Sequence, residues 1–312
     1  MARILVIGGA HIDRRAKISV PTVHGASNPG RWYEEAGGGG FNAARGLARL
    51  GNSVAMVSVR GGDAAGEAVA LAVEEAGIAD MAQVFLDRAT PSYSAVIDDS
   101  GNLVIAIADM DLYDRFVHRQ LSRKSIREAI GNADFVLCDA NLPADTLGAL
   151  SSMTEIRAKP LAAIAVSPAK APRLTQALAK LAVLFVNASE ASALCDAPDQ
   201  PEQWPQRLRD LGVTRAVITN GTGPVLGFDE EIVFRLMPPL TDRIVDETGA
   251  GDALAAATID ALARGSVLCE AVRYGIAAAG VTVRSAHAAA PDLDHQVLSR
   301  ELERVPEPHI LT

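Results

Sequence analysis

Short apolar runs alternate with helix-forming stretches along most of the chain, and this alternation constrains the fold more than any other feature of the sequence. The runs "RILVIGG" (3–9) and "SVAMVSVRG" (53–61) are apolar and end in glycine. Such runs are typical of strands that are buried on both faces of a parallel sheet. Helix-forming stretches such as "DAAGEAVALAVEEAG" (63–77) follow them. The pattern therefore predicts a mostly parallel sheet with helices on both faces.

Two segments break this alternation, and both have strand character only. Residues 14–35 and 90–110 contain short strand-like pieces that are separated by turn residues, without a helical period. We expect the two segments to pair as a small second sheet that projects from the main one, within a single domain (1–312). Such a sheet would serve as a lid over a binding site or as a contact between two copies of the chain.

The charge and the cysteine content exclude several classes of function. The formal net charge is −9, from 29 basic and 38 acidic residues, so the chain has no general attraction for nucleic acid or for an anionic membrane. Its three cysteines are widely spaced without a C-x-x-C pattern, which fits a reducing compartment. No apolar stretch is long enough to span a bilayer, and residues 1–13 have the pattern of a strand instead of a signal peptide. We expect a cytoplasmic protein.

The stretch "VDETGAGDALAAAT" (245–258) combines glycines, an acid and a run of good helix formers. Thr248 is expected to cap a helix that starts near Gly249, with its first N–H groups directed outward. Helix N-termini attract anions, and glycines let a ligand approach the backbone closely. Asp252 would lie beside that anion. The stretch alone leaves two interpretations open: an anion site next to a base, or a turn whose acid only complements the helix dipole.

A second glycine-rich stretch (37–42) fits neither of the common phosphate-binding motifs. Its formal G-x-G-x-x-A pattern does not follow the first strand directly, as a dinucleotide-binding turn must, and no G-x-x-x-x-G-K-[ST] pattern occurs in the chain. Two polar residues stand out around it. Asp13 follows the first strand, and Asn42 lies one turn into an otherwise apolar helix. Each is either a local turn or cap residue, or the two together hold a polyhydroxylated ligand.

Two further polar stretches follow later strands. "NASE" places Asn187 at a helix start with Glu190 three residues later, which is the spacing of a capping box. "TNGTG" ends a strand with Gly221 and Gly223. It is either a plain turn or another place where the backbone meets a phosphate.

Together these pieces resemble the PfkB (ribokinase-like) family of carbohydrate and nucleoside kinases along nearly the whole chain. The resemblance rests on "GGGGFNAARGLARLG", "NASE", "TNGTGPVLG" and, above all, "DETGAGDA" before an alanine-rich helix. It implies an α/β fold, namely a three-layer α/β/α sandwich with a small β-sheet lid. It also implies an ATP-dependent kinase that uses Mg²⁺ and, in many members, a monovalent cation such as K⁺.

Matched position by position, the resemblance assigns roles in catalysis and in sugar binding. Asp252 would be the general base for the substrate hydroxyl. The N–H groups of Gly249, Ala250 and Gly251 would bind the transferring phosphoryl group. The residues that match sugar-binding positions are Asp13, Gly38, Gly39 and Asn42. One position departs from the family pattern, because His11 stands where many members have asparagine before the aspartate.

The resemblance also implies a nucleotide site in the second half of the chain. Glu190, with Asn187, would order Mg²⁺ and its waters near the ATP phosphates. The residues that match nucleotide-binding positions are Asn187, Thr219, Gly221 and Gly223. Asp246 and Thr248 would contribute to the monovalent-cation site.

Three local features are similar to the pseudouridine kinases of this family. They are "GASNPGRWYEEAGG" (25–38), "AIADMDLYDRF" (106–116) and "AVSPAKAPRL" (165–174). This similarity implies a nucleoside substrate phosphorylated on its 5′-hydroxyl, with Ser27, Asn28 and Lys170 near the base. "SNPG" is alternatively an ordinary turn, and Lys170 an ordinary surface lysine. Two other functions stay open: a kinase for another nucleoside or a free sugar such as ribose, and a non-catalytic sugar or nucleoside sensor. A homodimer through the lid is also expected.

Overall fold

The computed structural model describes residues 1–196, 200–241 and 243–311. The strands in these ranges are β1 (Arg3–Ile7), β2 (His11–Ile18), β3 (Gly30–Gly37), β4 (Ser53–Val57), β5 (Val59–Gly61), β6 (Ala79–Asp80), β7 (Gln83–Phe85), β8 (Ser92–Ile97), β9 (Leu103–Asp109), β10 (Phe135–Asp139), β11 (Leu161–Ile164), β12 (Val183–Asn187), β13 (Ala216–Thr219), β14 (Val225–Phe228), β15 (Val233–Leu236) and β16 (His309–Ile310). The α-helices are α1 (Gly39–Arg49), α2 (Ala64–Glu75), α3 (Lys124–Asn132), α4 (Ala144–Ile156), α5 (Ala188–Cys195), α6 (Trp204–Asp210), α7 (Ala250–Ala263), α8 (Leu268–Thr282) and α9 (His295–Leu302). Short 3₁₀ helices cover Asp111–Arg115, His118–Ser122, Ala171–Leu174, Leu178–Lys180 and Pro201–Gln203.

The central sheet has ten strands in the order β16-β15-β14-β13-β12-β11-β10-β1-β4-β6. Seven neighbouring strands pair in parallel, in the order β13-β12-β11-β10-β1-β4-β6, and β14, β15 and β16 add an antiparallel edge. The predicted mostly parallel sheet is therefore confirmed. None of the helices in the described ranges is both long enough and apolar enough to cross a bilayer.

Alternate residues of β1 enter two separate apolar cores. Ile4 and Val6 pack in one cluster with α1, α7 and α8, whereas Leu5 and Ile7 pack in the other with α4 and α6. All four side chains are nearly completely buried. Burial on both faces explains why the strand reads as a continuous apolar run, and it confirms the three-layer α/β/α arrangement.

A four-stranded sheet in the order β3-β2-β8-β9 is built from the two strand-only segments. β2 pairs antiparallel with β3 and parallel with β8, while β8 and β9 form a hairpin. β2 begins at His11, three residues earlier than the sequence suggested. Asp13 consequently belongs to this second sheet, where its neighbour across the strands is Glu35, and not to the turn after β1.

Close packing of α1 on α7 brings their N-terminal ends together. At Gly46 of α1 a Cβ atom would lie 3.0 Å from the Cβ of Ala256 in α7, so the two helices touch almost backbone to backbone. The carboxyl ends of β1 and β10 meet the same region. This is the edge at which open α/β sheets bind ligands.

Candidate active site

Asp252 lies in the first turn of α7 and is tied to α1 through Asn42. The Nδ2 of Asn42 donates to Oδ2 of Asp252 at 2.9 Å. The Oδ1 of Asn42 accepts from the Arg45 guanidinium at 2.7 Å, and this contact fixes the amide orientation because arginine can only donate. The second carboxylate oxygen of Asp252, Oδ1, makes no hydrogen bond within the described ranges. It is the oxygen left to accept a proton from a ligand.

Arg45 was not identified from the sequence as a site residue. Its side chain is only 11% exposed and also donates to Glu35 of β3 at 3.3 Å. The guanidinium carbon lies 4.6 Å from the centroid of the Phe41 ring, within the range of a cation–π contact. An arginine within the apolar face of α1, beside Phe41, was the one local signal that could have revealed it.

Burial raises the pKa of Asp252 to about 7. The hydrogen bond from Asn42 opposes this rise, the negative charges of Asp139 and Glu190 add to it, and the positive charge of Arg45 opposes it again. A carboxylate with a pKa near neutrality is a better proton acceptor than an ordinary aspartate. The environment of Asp252 therefore suits a general base.

The helix N-terminus at Asp252 differs in one detail from the sequence expectation. The cap of α7 is Gly249 and not Thr248, because the chain enters the helix through a left-handed residue (φ 81°). A Cβ atom at Gly249 would lie 1.8 Å from the carbonyl oxygen of Ala288, so only glycine fits. The N–H of Ala250, predicted to bind phosphate, donates to the Glu247 carbonyl at 3.2 Å. The N–H groups of Gly251 and Asp252 have no acceptor in the described ranges.

Asp139, at the carboxyl end of β10, is fully buried and organises the floor of the site. Its Oδ2 accepts from the backbone N–H groups of Gly9 and Gly40, at 2.8 and 2.9 Å. Both carboxylate oxygens also accept from Asn141, through its backbone N–H and its side-chain amide. Asp139 thus joins the end of β1, the start of α1 and the end of β10.

Gly39 lies between the carboxylates of Asp252 and Asp139. A Cβ atom there would be 3.3 Å from Oδ1 of Asp252 and 3.8 Å from Oδ2 of Asp139. It would also be 3.6 Å from the side chain of Val166, whose φ of 68° is strained for a β-branched residue. A glycine at this position keeps the space beside the free oxygen of Asp252 open for a ligand.

Lys170 is half-buried and belongs to the floor of the site. Its Nζ donates to Oδ1 of Asn141 at 2.6 Å, and burial lowers its pKa. Ser27 and Asn28 are located in the loop between β2 and β3, where the Asn28 side chain bonds to Val23 and Ala26. The structure therefore groups Lys170 with Asn141 and Asp139, while the hydrogen bonds of Asn28 stay within its own loop.

His11 connects Asp13 to a buried tyrosine that the sequence did not indicate. Its Nε2 lies 3.2 Å from Oδ1 of Asp13, and its Nδ1 lies 2.9 Å from the hydroxyl oxygen of Tyr113. Burial raises the pKa of Tyr113 well above its usual value, so the phenol keeps its proton. A His11 ring that donates from Nε2 to Asp13 and accepts at Nδ1 from the Tyr113 hydroxyl satisfies both neighbours. Histidine at this position thus orients Asp13.

Asn187 and Glu190 form the reciprocal capping box expected from their spacing. The Asn187 side chain accepts from the Glu190 N–H at 2.9 Å, and Oε2 of Glu190 accepts from the Asn187 N–H at 2.8 Å. Burial raises the pKa of Glu190, and its other oxygen makes no hydrogen bond within the described ranges. Thr219 pairs with Asn187 across β12 and β13, next to the turn that contains Gly221 and Gly223.

Asp246 and Thr248 precede the N-terminus of α7. Oδ1 of Asp246 accepts from the Thr248 N–H at 2.8 Å, and Oδ2 pairs with the guanidinium of Arg15 on β2. No group of three or more histidine, cysteine, aspartate or glutamate residues with the arrangement of a metal site occurs in the part of the chain that the structure describes.

The family model for the pfkB family carbohydrate kinases matches residues 1–295. A pseudouridine kinase of Escherichia coli (strain K12) is 25% identical over 296 residues, which cover 93% of each chain. A solved carbohydrate kinase from Agrobacterium tumefaciens is 50% identical over the full length of both chains, with a TM-score of 0.90. The ribokinase of Arabidopsis thaliana, solved with ribose and ATP, is 21% identical with a TM-score of 0.84, over 97% and 99% of the two chains.

Proposed function

Because the chain belongs to the pfkB family of carbohydrate kinases, we propose that it is a nucleoside kinase. In this proposal it transfers the γ-phosphoryl group of ATP to the 5′-hydroxyl of pseudouridine. One observation carries this proposal. A carboxylate with a free oxygen and a pKa of about 7 lies at a helix N-terminus whose N–H groups have no acceptor within the described ranges. Phosphoryl transfer needs these two elements side by side, a proton acceptor and fixed positive potential for the phosphoryl group.

In the proposed reaction, the substrate hydroxyl lies next to Gly39 and donates its proton to Oδ1 of Asp252. The new O–P bond forms as the bond between the γ-phosphorus and the bridging oxygen breaks, and ADP leaves. The N–H groups of Gly251 and Asp252 stabilise the charge on the transferring phosphoryl group. Asn42, oriented by Arg45, holds Asp252 in position.

ATP would lie over the ends of β12 and β13, next to Asn187, Thr219 and the turn with Gly221 and Gly223. Glu190 suits Mg²⁺ because its free oxygen can accept from a metal-bound water, and Mg²⁺ usually keeps several waters. The ion would neutralise charge on the phosphates of ATP. K⁺ is not part of this proposal, because Asp246 is already paired with Arg15.

The ribose of the substrate would be held by Asp13 on the lid and by the glycine-rich start of α1. The base would then extend toward Asn141 and Lys170, whose amide and ammonium groups can donate to ring carbonyls, and toward the loop with Ser27 and Asn28. Pseudouridine has an N–H at the ring position that uridine uses for its glycosidic bond. A site that pairs with this donor loses a hydrogen bond with uridine, and such losses discriminate strongly. The similarity to the pseudouridine kinase of E. coli supports this choice.

A panel of nucleosides and sugars with Mg·ATP tests this substrate. We expect a higher kcat/KM for pseudouridine than for uridine, and poor use of free ribose.

Three variants test the residues near the base. Lys170→Ala should raise KM for pseudouridine and so reduce the preference for pseudouridine over uridine, and Ser27→Ala or Asn28→Ala should have the same effect. Lys180→Ala is the matched control, because Lys180 pairs with Glu155 outside the site. Equal efficiency with both nucleosides would reject pseudouridine, and preference for a free sugar would favour the sugar-kinase alternative. Binding of a nucleoside or sugar without ADP release would favour the alternative of a non-catalytic sensor.

We also propose that two copies of the chain associate through the outer face of the lid, the four-stranded sheet β3-β2-β8-β9. Trp32, Ile105 and Ile107 on this face are 63%, 58% and 64% exposed. The strand pairing aligns Trp32, Ala16, Val96 and Ile105 in one row across the sheet. The opposite face bears Asp13 and Arg15, so a dimer would leave the site accessible.

Sedimentation of the intact protein tests this association. We expect a dimer for the wild-type chain and a monomer for Ile105→Glu, since a charge on the apolar row is costly to bury. Leu71→Glu, which changes an exposed leucine of α2 outside the four strands of the lid, should remain dimeric. A monomeric wild-type protein, or an Ile105→Glu variant that still dimerises, would contradict the proposed interface.

A further inference from the structure

The loop that leads into the proposed phosphate site has an internal counter-ion, Arg15. This arginine is located on β2 of the lid, two residues from Asp13 and on the same face of the sheet. Its guanidinium pairs with Oδ2 of Asp246, across 231 residues of sequence. Both side chains are partly buried, where an ion pair is screened less than at the surface.

Asp246 controls how the chain enters α7. Its Oδ1 accepts from the Thr248 N–H at 2.8 Å, and its own segment is anchored by the bond from the Val245 N–H to the Val283 carbonyl, also 2.8 Å. Gly249 follows directly and is held against the Ala288 carbonyl. Asp246 is therefore only a few residues from the N–H groups of Gly251 and Asp252, which have no acceptor in the described ranges.

A monovalent cation does not fit this arrangement of side chains. Such an ion would have to share the Asp246 carboxylate with two donors that are already in place, because Oδ1 accepts from the Thr248 N–H and Oδ2 accepts from the Arg15 guanidinium. The guanidinium would also repel a second cation at a distance of a few ångströms. Burial raises the pKa of Asp246, but the bonds from Thr248 and the charge of Arg15 outweigh it, so the carboxylate stays ionised.

We propose that Arg15 supplies the positive charge that a bound monovalent cation would otherwise supply next to the phosphate-binding loop, so that the kinase needs no added K⁺. Arg15 is a positioning residue in this proposal, since it acts through Asp246 and Thr248 on the start of α7. The charge comes from the lid, so it also links the position of the lid to the geometry of the phosphate site. This inference rests on the proposed kinase function.

The dependence of the protein on monovalent cations tests the inference. Activity with Mg·ATP and the unfolding temperature would be measured in tetramethylammonium, Na⁺ and K⁺ chlorides at equal ionic strength. The wild-type protein should give the same rate and the same unfolding temperature in all three. Arg15→Ala should be slow in tetramethylammonium and recover by about 5- to 150-fold in K⁺, the usual range of coupling between two sites. K⁺ should also raise its unfolding temperature, because the ion binds only the folded state.

Two further variants separate the role of this charge from a general effect on the lid. Arg15→Lys keeps a cation beside Asp246 and should remain independent of K⁺. Lys17→Ala removes a positive charge two residues along the same strand and face, and should behave as the wild type. K⁺ dependence of the wild-type protein would overturn the inference even if no variant folded, and so would an Arg15→Ala variant that K⁺ does not rescue. Failure of every phosphate acceptor would instead reject the kinase function, while the unfolding temperatures would still report on cation binding.

Discussion

Replacing Asp252 with asparagine should lower kcat by at least ~10²-fold, which is the lower end of the range for loss of a general base. The amide has nearly the shape of the carboxylate and can still meet Asn42, but it cannot take the proton of the substrate hydroxyl. Affinity for ATP should change little, because the proposed contacts to the phosphates are backbone N–H groups. Steady-state kinetics and nucleotide binding measured on the same preparation would separate the two effects.

The competing interpretation of Asp252, as an acid that only complements the helix dipole, predicts a different result. Under that interpretation Asp252→Asn would cost a few tenths of a kcal/mol in stability and leave turnover intact. Glu67→Gln is the matched control, because Glu67 is an exposed acid in the first turn of α2. It should alter neither turnover nor substrate affinity. If the Asp252→Asn variant kept near wild-type turnover, Asp252 would be excluded as the general base.

The raised pKa of Asp252 adds a pH dependence with a definite sign. The carboxylate must be ionised to accept a proton, so kcat/KM should rise with pH and level off above the pKa of about 7. The contribution of Asp252 to the free energy of unfolding has the opposite pH dependence. Between its unfolded pKa of about 4 and its folded pKa of about 7, Asp252 binds more protons in the folded state than in the unfolded state, so this contribution falls as the pH rises. At pH 8 the Asp252→Asn variant should therefore unfold at a temperature equal to or above that of the wild type.

Features that depend on local pattern were predictable from the sequence. The alternation of strands and helices predicted the central sheet, and the spacing of Asn187 and Glu190 predicted a capping box that the structure contains. Each of these depends on residues within a few positions of one another. Local geometry also explains one wrong expectation, since the left-handed conformation of Gly249 displaces the cap of α7 from Thr248.

Features that depend on contacts between distant segments were not predictable in the same way. Asp139 bonds to Gly9, 130 residues earlier in the chain, and His11 meets Tyr113 across 102 residues. Nothing in "LCDANLP" distinguishes a buried floor of an active site from the usual end of a strand. Arg15 and Asp246 similarly meet only because the lid folds over the start of α7. The fold brings such residues together, and their chemistry becomes visible only there.

The Ala250→Asp variant should lose about 10²- to 10³-fold in kcat/KM while remaining at least as stable as the wild type. Position 250 is the first residue of α7, beside the free N–H groups of Gly251 and Asp252. Acidic residues are favoured in the first turn of a helix, so the substitution should not destabilise the fold. A carboxylate there would repel the transferring phosphoryl group and lower the positive potential of the helix end. The loss expected is of the size caused by removing one oxyanion-hole donor.

Ala250→Asn separates the charge from the added bulk, because asparagine has the shape of aspartate without its charge. If the start of α7 binds the phosphoryl group, Ala250→Asn should retain most of the activity and Ala250→Asp should not. High salt should then restore part of the lost activity, since screening weakens repulsion at the partly exposed helix end. Equal losses in the two variants would indicate a steric effect. Full activity of Ala250→Asp would mean that the glycines form only a turn, because an anion held at this helix end cannot be indifferent to a negative charge one residue away.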